Sequence, residues 1–94
     1  MPDENFIRLL NDNHSFPEMM TFKVIGTNSP EFVAAVLLVV REVLRVHFEP
    51  RHTLRVTPNQ RHVAITIQVT AGSAELLALT YERLAKVEGT KIVL

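Results

Sequence analysis

The chain has 94 residues, of which 47 % are hydrophobic, so it fits one small domain with a core of its own. Ten Lys and Arg residues balance ten Asp and Glu residues. This zero net charge argues against a dedicated nucleic-acid binder and favours self-association. The sequence has no cysteine, which excludes disulfides, a thiolate nucleophile and a cysteine metal site.

The sequence also lacks the features of a secreted or membrane protein. Its N-terminus does not show the basic-then-apolar order of a signal peptide. The longest apolar run, Phe32 to Val40, is nine residues long, whereas a membrane span needs about twenty. We therefore expect a soluble, cytoplasmic protein.

Residues 1–18 are predicted to form a loosely ordered N-terminal arm, and residues 19–94 to form a single domain. Four apolar residues in the arm fit one short amphipathic turn: Phe6, Ile7, Leu9 and Leu10. Asn11-Asp12-Asn13 would end that turn, and Pro17 prevents a continuing helix.

The first regular elements are a strand and a helix. Apolar and polar residues alternate from Met20 to Gly26, a period of two that predicts a half-buried strand. Ser29 then has the properties of a helix N-cap, and Pro30 and Glu31 favour the first helical turn. The first helix is predicted to run from Pro30 to about Val46.

A hairpin, a second helix and a short strand follow. Residues 53–57 and 62–70 alternate as two strands around the turn Pro58-Asn59-Gln60-Arg61. Ser73 caps a helix predicted over residues 74–87, which Gly89 ends, and residues 91–94 form a last strand. The order β-α-β-β-α-β predicts an α+β ferredoxin-like sandwich, with a four-stranded antiparallel sheet and two helices on one face.

Several segments resemble the YbeD-like family of bacterial proteins of unknown function: "FPEMMTFKVIG", "SPEF", "HFEP" and "VAITIQVTAGSAELLALTYERLAKVEGTKIVL". The resemblance covers about residues 16–94. It implies a ferredoxin-like fold similar to the small-molecule-sensing ACT regulatory domains, and no known enzyme activity. The hairpin "RVTPNQRHVAITI" departs from the family, because it lacks the usual glycine and the aromatic residue before the third strand.

The turn after the first strand is the first candidate site, formed by Gly26, Thr27, Asn28 and Ser29. In ACT-like domains an amino-acid ligand tends to sit at this loop, and the N–H groups of a helix N-terminus attract a carboxylate. Here Glu31 stands where the ACT pattern has glycine, and its charge would repel an anion. The turn is therefore interpreted first as a capped connector and second as a metabolite site.

The first helix is apolar nearly all round, which requires cover on more than one side. Leu38, Val39 and Val43 lie off its core stripe. Two explanations stay open. Either the N-terminal arm covers these residues through Phe6, Ile7 and Leu10, or they form a homodimer or partner interface.

Three other functions are disfavoured. His47, Glu49 and His52 lie in a Pro-containing loop, so they need not converge on a metal, and no cofactor is predicted. The outward positions of the third strand carry no Phe or Tyr to stack RNA bases. Acylphosphatases share this topology and use an arginine in a glycine-rich loop, but "GTNSPEF" has no arginine and one glycine.

The sequence therefore predicts a non-enzymatic regulatory or protein-interaction module, dimeric or bound to a protein partner. The alternative is an ACT-like sensor that binds a small metabolite at the turn after the first strand. Neither a nucleic acid nor a membrane is an expected partner.

Overall fold

The computed structural model describes residues 3–94, which form three helices and one four-stranded sheet. In chain order the elements are α1 (Glu4–Asn13), β1 (Glu18–Thr27), α2 (Pro30–Leu44), β2 (Arg51–Val56), β3 (His62–Ala71), α3 (Ala74–Ala85) and β4 (Thr90–Val93). The predicted first and second helices are thus α2 and α3. No helix within residues 3–94 is long and apolar enough to cross a membrane.

The N-terminal segment differs from the single short turn expected there, because residues 4–13 form a ten-residue helix. The Asp3 side chain caps α1 by accepting a hydrogen bond of 2.8 Å from the Asn5 N–H. Helix α1 packs on α3, where the Phe6 ring lies 6.4 Å from that of Tyr81. Leu10 of α1 is buried in the core, and Ile7 packs against it. Residues 1 and 2 of the predicted arm lie outside the described residues, and the division of the chain at residue 18 stays a prediction.

The sheet has the order β2-β3-β1-β4, with every neighbouring pair antiparallel. The longest ladder joins β1 to β3, in a register that pairs Phe22 with Ile67 and Val24 with Ile65. All four of these side chains are fully buried. The alternation that predicted the strands therefore also identifies the face of the sheet that forms the core.

Helix α2 begins where the sequence predicts, since the Ser29 hydroxyl accepts a hydrogen bond of 3.1 Å from the Phe32 N–H. It ends two residues before the predicted Val46, because Arg45 adopts the left-handed conformation (φ 56°). The Val46 N–H then donates to the Arg41 carbonyl over 3.0 Å, which closes the last turn.

The core lies between the sheet and the helices α2 and α3. Helix α2 packs against β1 and β3, while α3 packs against β3, β4 and α2. Edge strand β2 receives the least cover, and its burial pattern contains no buried residue. This incomplete cover is the structural origin of the apolar groove described below.

Candidate functional site

The turn between β1 and α2 is held in place by contacts within the chain. Gly26 is buried, and a Cβ atom there would lie 2.2 Å from the Phe32 ring and 2.6 Å from the Gly89 carbonyl. The Thr27 N–H donates to that same Gly89 carbonyl over 3.1 Å. Gly26 is therefore needed for the close approach of α2 and of the turn before β4, as a packing requirement.

Asn28 joins this turn to the β2–β3 hairpin. Its side-chain amide donates to the Gln60 carbonyl over 2.9 Å, and its backbone N–H donates to the Arg61 carbonyl over 3.1 Å. The hairpin turn is itself closed by a bond of 2.8 Å from the Gln60 N–H to the Thr57 carbonyl. Asn28 thus links two loops, a role that the sequence did not indicate.

A cavity of about 410 Å³ does lie beside the predicted metabolite turn. Thr27, Ser29 and Gly89 contribute to its wall, together with Glu31 and Glu88. The two carboxylates make this cavity unfavourable for an anionic ligand. The assignment of residues 26–29 to ligand binding stays a prediction.

The three apolar residues singled out on α2 have different environments. Leu38 is 52 % exposed, whereas Val39 is half-buried and Val43 is buried. Helix α3 packs beside α2, and Arg83 of α3 lies 3.4 Å from Glu42 of α2. Helix α3 therefore covers part of the apolar surface of α2. Of the three residues predicted to form an interaction surface, Leu38 is the exposed one.

A second apolar surface of α2 faces strand β2 and is open to solvent. We call it the α2–β2 groove, defined by Val33, Ala34, Leu37, Leu54 and Val56, with a volume of about 410 Å³. Leu54 pairs with Ile65 and Val56 with Val63, so both side chains lie on the core side of the sheet. Even so, Leu54 is 51 % and Val56 is 47 % exposed.

Leu54 and Val56 alternate with Arg55 in the sequence, but that pattern does not reveal this groove. Their alternation identifies the correct face of the strand, but it cannot show that β2 occupies an edge beyond the reach of α2. Only the strand order supplies that fact.

Another concave surface, of about 460 Å³, lies at the end of α2. Phe48, Met19 and Val69 give it apolar walls, and Arg45 and Arg51 add positive charge at its rim. Of the possible metal ligands in this region, His52 contacts the Pro50 carbonyl over 2.8 Å. Within residues 3–94 no three His, Asp or Glu side chains form a group that could hold a metal ion.

Tyr81 is the one side chain of the core region whose ionisation is clearly perturbed within the described chain. Its ring makes edge contacts with Phe22 and Phe6, at centroid distances of 5.1 and 6.4 Å. Burial raises the pKa of the Tyr81 hydroxyl above its ordinary value. Burial is the cause of this shift, and Tyr81 packs against the hydrophobic core as a partly buried residue.

The sheet face opposite the core carries polar and positively charged side chains on β1, β2 and β3, and an apolar pair where β1 meets β4, since Ile25 pairs with Ile92 there. Lys23 pairs with Thr66, and Thr21 pairs with Gln68. Arg55 lies next to them on β2, opposite Ala64. No Phe or Tyr lies at the outward positions of β3, as the sequence indicates.

The chain has an α+β fold, and a solved ACT domain has a similar fold. It is similar to the ACT domain from the GTP pyrophosphokinase of Chlorobium tepidum, with a TM-score of 0.59. The match covers 81 % of this chain and 94 % of that domain at 13 % sequence identity, so it shows a shared fold alone.

Sequence comparison identifies the family. Residues 11–94 match the model of the family described as "Protein of unknown function (DUF493)". A UPF0250 protein of Shewanella loihica is 34 % identical over the whole of both chains. A UPF0250 protein of Pasteurella multocida is 31 % identical over 90 % of this chain and 94 % of its own length. The chain belongs to the DUF493 family, also called UPF0250, which confirms the YbeD-like resemblance.

Proposed function

We propose that this chain is a non-catalytic protein-interaction module of the bacterial cytoplasm, built as a ferredoxin-like sandwich, with a regulatory role in the assembly it joins. The strand order β2-β3-β1-β4 and the packing of α2 and α3 against the sheet support the ferredoxin-like arrangement. The fold shared with an ACT domain supports a regulatory role by analogy only.

The observation that carries the proposal is the α2–β2 groove. Its two strand residues, Leu54 and Val56, are large apolar side chains exposed by about half on the core side of the sheet. Apolar side chains gain free energy when they leave water, at about 25 cal/mol per Å². An interaction surface is therefore the role that best explains why they are placed beside Val33 and Leu37.

Light scattering after gel filtration tests this proposal directly. At about 100 μM the protein is expected to elute as a dimer, and Leu54→Asp is expected to convert it to the monomer. Ile92→Asp is the matched control, since Ile92 is similarly exposed but lies on β4 at the opposite edge of the sheet. A monomeric wild-type chain, or equal effects of the two variants, would contradict an interaction role for the groove.

The second candidate is an ACT-like sensor, and the cavity beside Thr27, Ser29 and Gly89 is the observation that favours it. A bound ligand would raise the melting temperature by mass action. Thermal-shift screening of amino acids and organic acids at millimolar concentration checks this. Because Glu31 and Glu88 line the cavity, a ligand with a positively charged group is expected to bind better than a purely anionic one. If no compound moves the melting temperature, the sensor proposal is rejected.

A further inference from the structure

Strand β2 has one unpaired edge within the described part of the chain, since it ends the sheet order β2-β3-β1-β4. Its other edge pairs with β3, from Arg51 opposite Gln68 to Val56 opposite Val63. Just beyond the strand, the Thr57 N–H donates to the His62 carbonyl over 2.9 Å. Residue 57 therefore directs its backbone N–H toward β3.

The direction of the other backbone groups follows from this bond. In an antiparallel ladder, successive residues direct their N–H and C=O groups alternately to one side and the other. Residues 51, 53 and 55 therefore face β3, as residue 57 does. Residues 52, 54 and 56 direct theirs to the open edge, and they are also the residues whose side chains lie on the core side. The open hydrogen-bonding edge and the apolar groove thus belong to the same three residues.

We propose that a second copy of this chain docks here, with its β2 antiparallel to β2 of the first copy about a two-fold axis at Leu54. The two four-stranded sheets become one continuous sheet, with the helices of both copies on the same side. The proposal rests on the interaction role proposed above and specifies its partner and its geometry.

The sequence of β2 selects Leu54 among the centres at residues 52–56, since a centre at Arg51 would place two arginines opposite each other. A two-fold axis at Thr53 places Arg51 opposite the partner's Arg55, and an axis at Arg55 places that residue opposite the partner's Arg55. Like charges that face each other across a sheet are destabilising. Both of these centres are therefore disfavoured.

Two further centres fail because of prolines. An axis at His52 pairs Leu54 with the partner's Pro50, and an axis at Val56 pairs Leu54 with the partner's Pro58. Each of these would be a hydrogen-bonded pair, and proline has no N–H to donate. Pro50 and Pro58 flank β2 on both sides, so they limit the pairing to its middle.

The axis at Leu54 avoids both problems. It pairs Leu54 with the partner's Leu54 and His52 with the partner's Val56, each as a hydrogen-bonded pair on the core side. On the open face, Arg55 lies opposite the partner's Thr53, so no two arginines face each other. The exposed Leu54 and Val56 side chains of each copy are then covered by side chains of the other copy, where the two α2–β2 grooves meet. The zero net charge of the chain leaves no overall repulsion between the copies.

Single-cysteine variants test this register, because the natural chain has no cysteine. In the proposed dimer the two copies of residue 54 have Cα atoms about 5.5 Å apart, within the range that a disulfide spans. Leu54→Cys is therefore expected to form a disulfide-linked dimer under mild oxidation, at least tenfold faster than Ile92→Cys on the opposite edge.

A second pair of variants gives a test that leaves the groove side chains unchanged. Thr53→Cys and Arg55→Cys change the open face, and the proposed register places residue 53 directly opposite the partner's residue 55. Mixing the two variants is expected to give mainly the mixed disulfide, with less of each homodimer. A predominance of Thr53→Cys homodimer would identify the centre at Thr53 and overturn the proposal.

The outcomes separate this proposal from the one before it. A wild-type chain that is dimeric by light scattering but shows neither cross-link overturns the β2 pairing and leaves the interaction role standing. A monomer without cross-links at about 100 μM overturns both.

Discussion

Gly26 controls how closely β1, α2 and the turn before β4 can approach one another. Its missing side chain allows Phe32 of α2 and the Gly89 carbonyl to lie within 2.2 and 2.6 Å of the position that a Cβ atom would take. Gly26→Ala is therefore expected to destabilise the fold by about 2–3 kcal/mol, because the Phe32 ring and a backbone carbonyl must both shift. Denaturant unfolding measures this change.

Gly72→Ala is the matched control for that measurement. The nearest atom to a Cβ at Gly72 is a Leu76 methyl at 3.8 Å, which is an ordinary contact. The substitution is expected to change the free energy of unfolding by less than about 0.5 kcal/mol. Equal effects at the two glycines would show that the crowding at Gly26 is relieved without cost.

Tyr81 gives the protein a specific dependence on alkaline pH. Burial raises the pKa of its hydroxyl in the folded state above the value of about 10 expected when the chain is unfolded. The hydroxyl therefore ionises first in the unfolded chain. Its contribution to stability is fully present below the unfolded pKa and is lost as the pH rises toward the folded pKa.

The measurement is the free energy of unfolding between pH 8 and 11, for the natural chain and for Tyr81→Phe. The natural chain is expected to lose stability more steeply above about pH 10, where tyrosine titrates in the unfolded state. Parallel curves for the two proteins would mean that Tyr81 ionises equally in both states.

At the scale of elements, helix α1 is the part whose role sequence reasoning underestimated. Leu10 is 8 % exposed and belongs to the core, whereas its neighbour Leu9 is 57 % exposed. Leu10→Ala is expected to cost about 2–3 kcal/mol, as burial of a leucine side chain implies. Leu9→Ala is expected to cost less than about 0.5 kcal/mol.

Comparison of the two leucine variants in one unfolding experiment distinguishes a docked helix from a loose arm. If both variants unfold at the same denaturant concentration as the natural chain, α1 contributes little to stability.

Nearby, the His14 imidazole and the Glu18 carboxylate lie 2.6 Å apart and join the end of α1 to the start of β1. This contact supports a defined position for the helix.

At the scale of the whole molecule, the proposed β2 pairing makes stability depend on protein concentration. A folded dimer that dissociates on unfolding melts at a higher temperature as its concentration rises. Each tenfold increase is expected to add about 1.4 kcal/mol per mole of dimer, since that energy corresponds to a factor of ten in an equilibrium constant. Calorimetry over about 10 to 1,000 μM measures the shift.

Leu54→Asp provides the comparison, because it places charge at the proposed interface while the side chain is half exposed in the isolated chain. Its melting temperature is expected to be independent of concentration. A natural chain with a constant melting temperature across this range would contradict a stable dimer.

Much of the fold could be predicted from local signals in the sequence. Ser29 and Ser73 have side chains suited to capping, and both cap helices that begin at the next residue. The strict alternation from His62 to Thr70 identified both the strand β3 and its buried face. Local physical chemistry determines these features, because each depends on residues within one turn or one strand.

The candidate surfaces depend on contacts between parts of the chain that are distant in sequence. The turn at residues 26–29 could be recognised as a helix start, but the bond from the Asn28 side chain to the hairpin joins residues 32 positions apart. The apolar excess on α2 was visible in the sequence. Neither its partial cover by α3 nor the α2–β2 groove was, because these depend on helix packing and on which strand lies at the edge of the sheet.

The sequence by itself determined the α+β class, the starts of α2 and α3, the core faces of the strands and the family. The tertiary structure decided that α1 is a packed helix, that Val43 is buried, and that Leu54 and Val56 are exposed. The physical reason is the distance along the chain over which each effect acts. Periodicity and capping act within about ten residues, whereas burial depends on which neighbour the fold brings to each face.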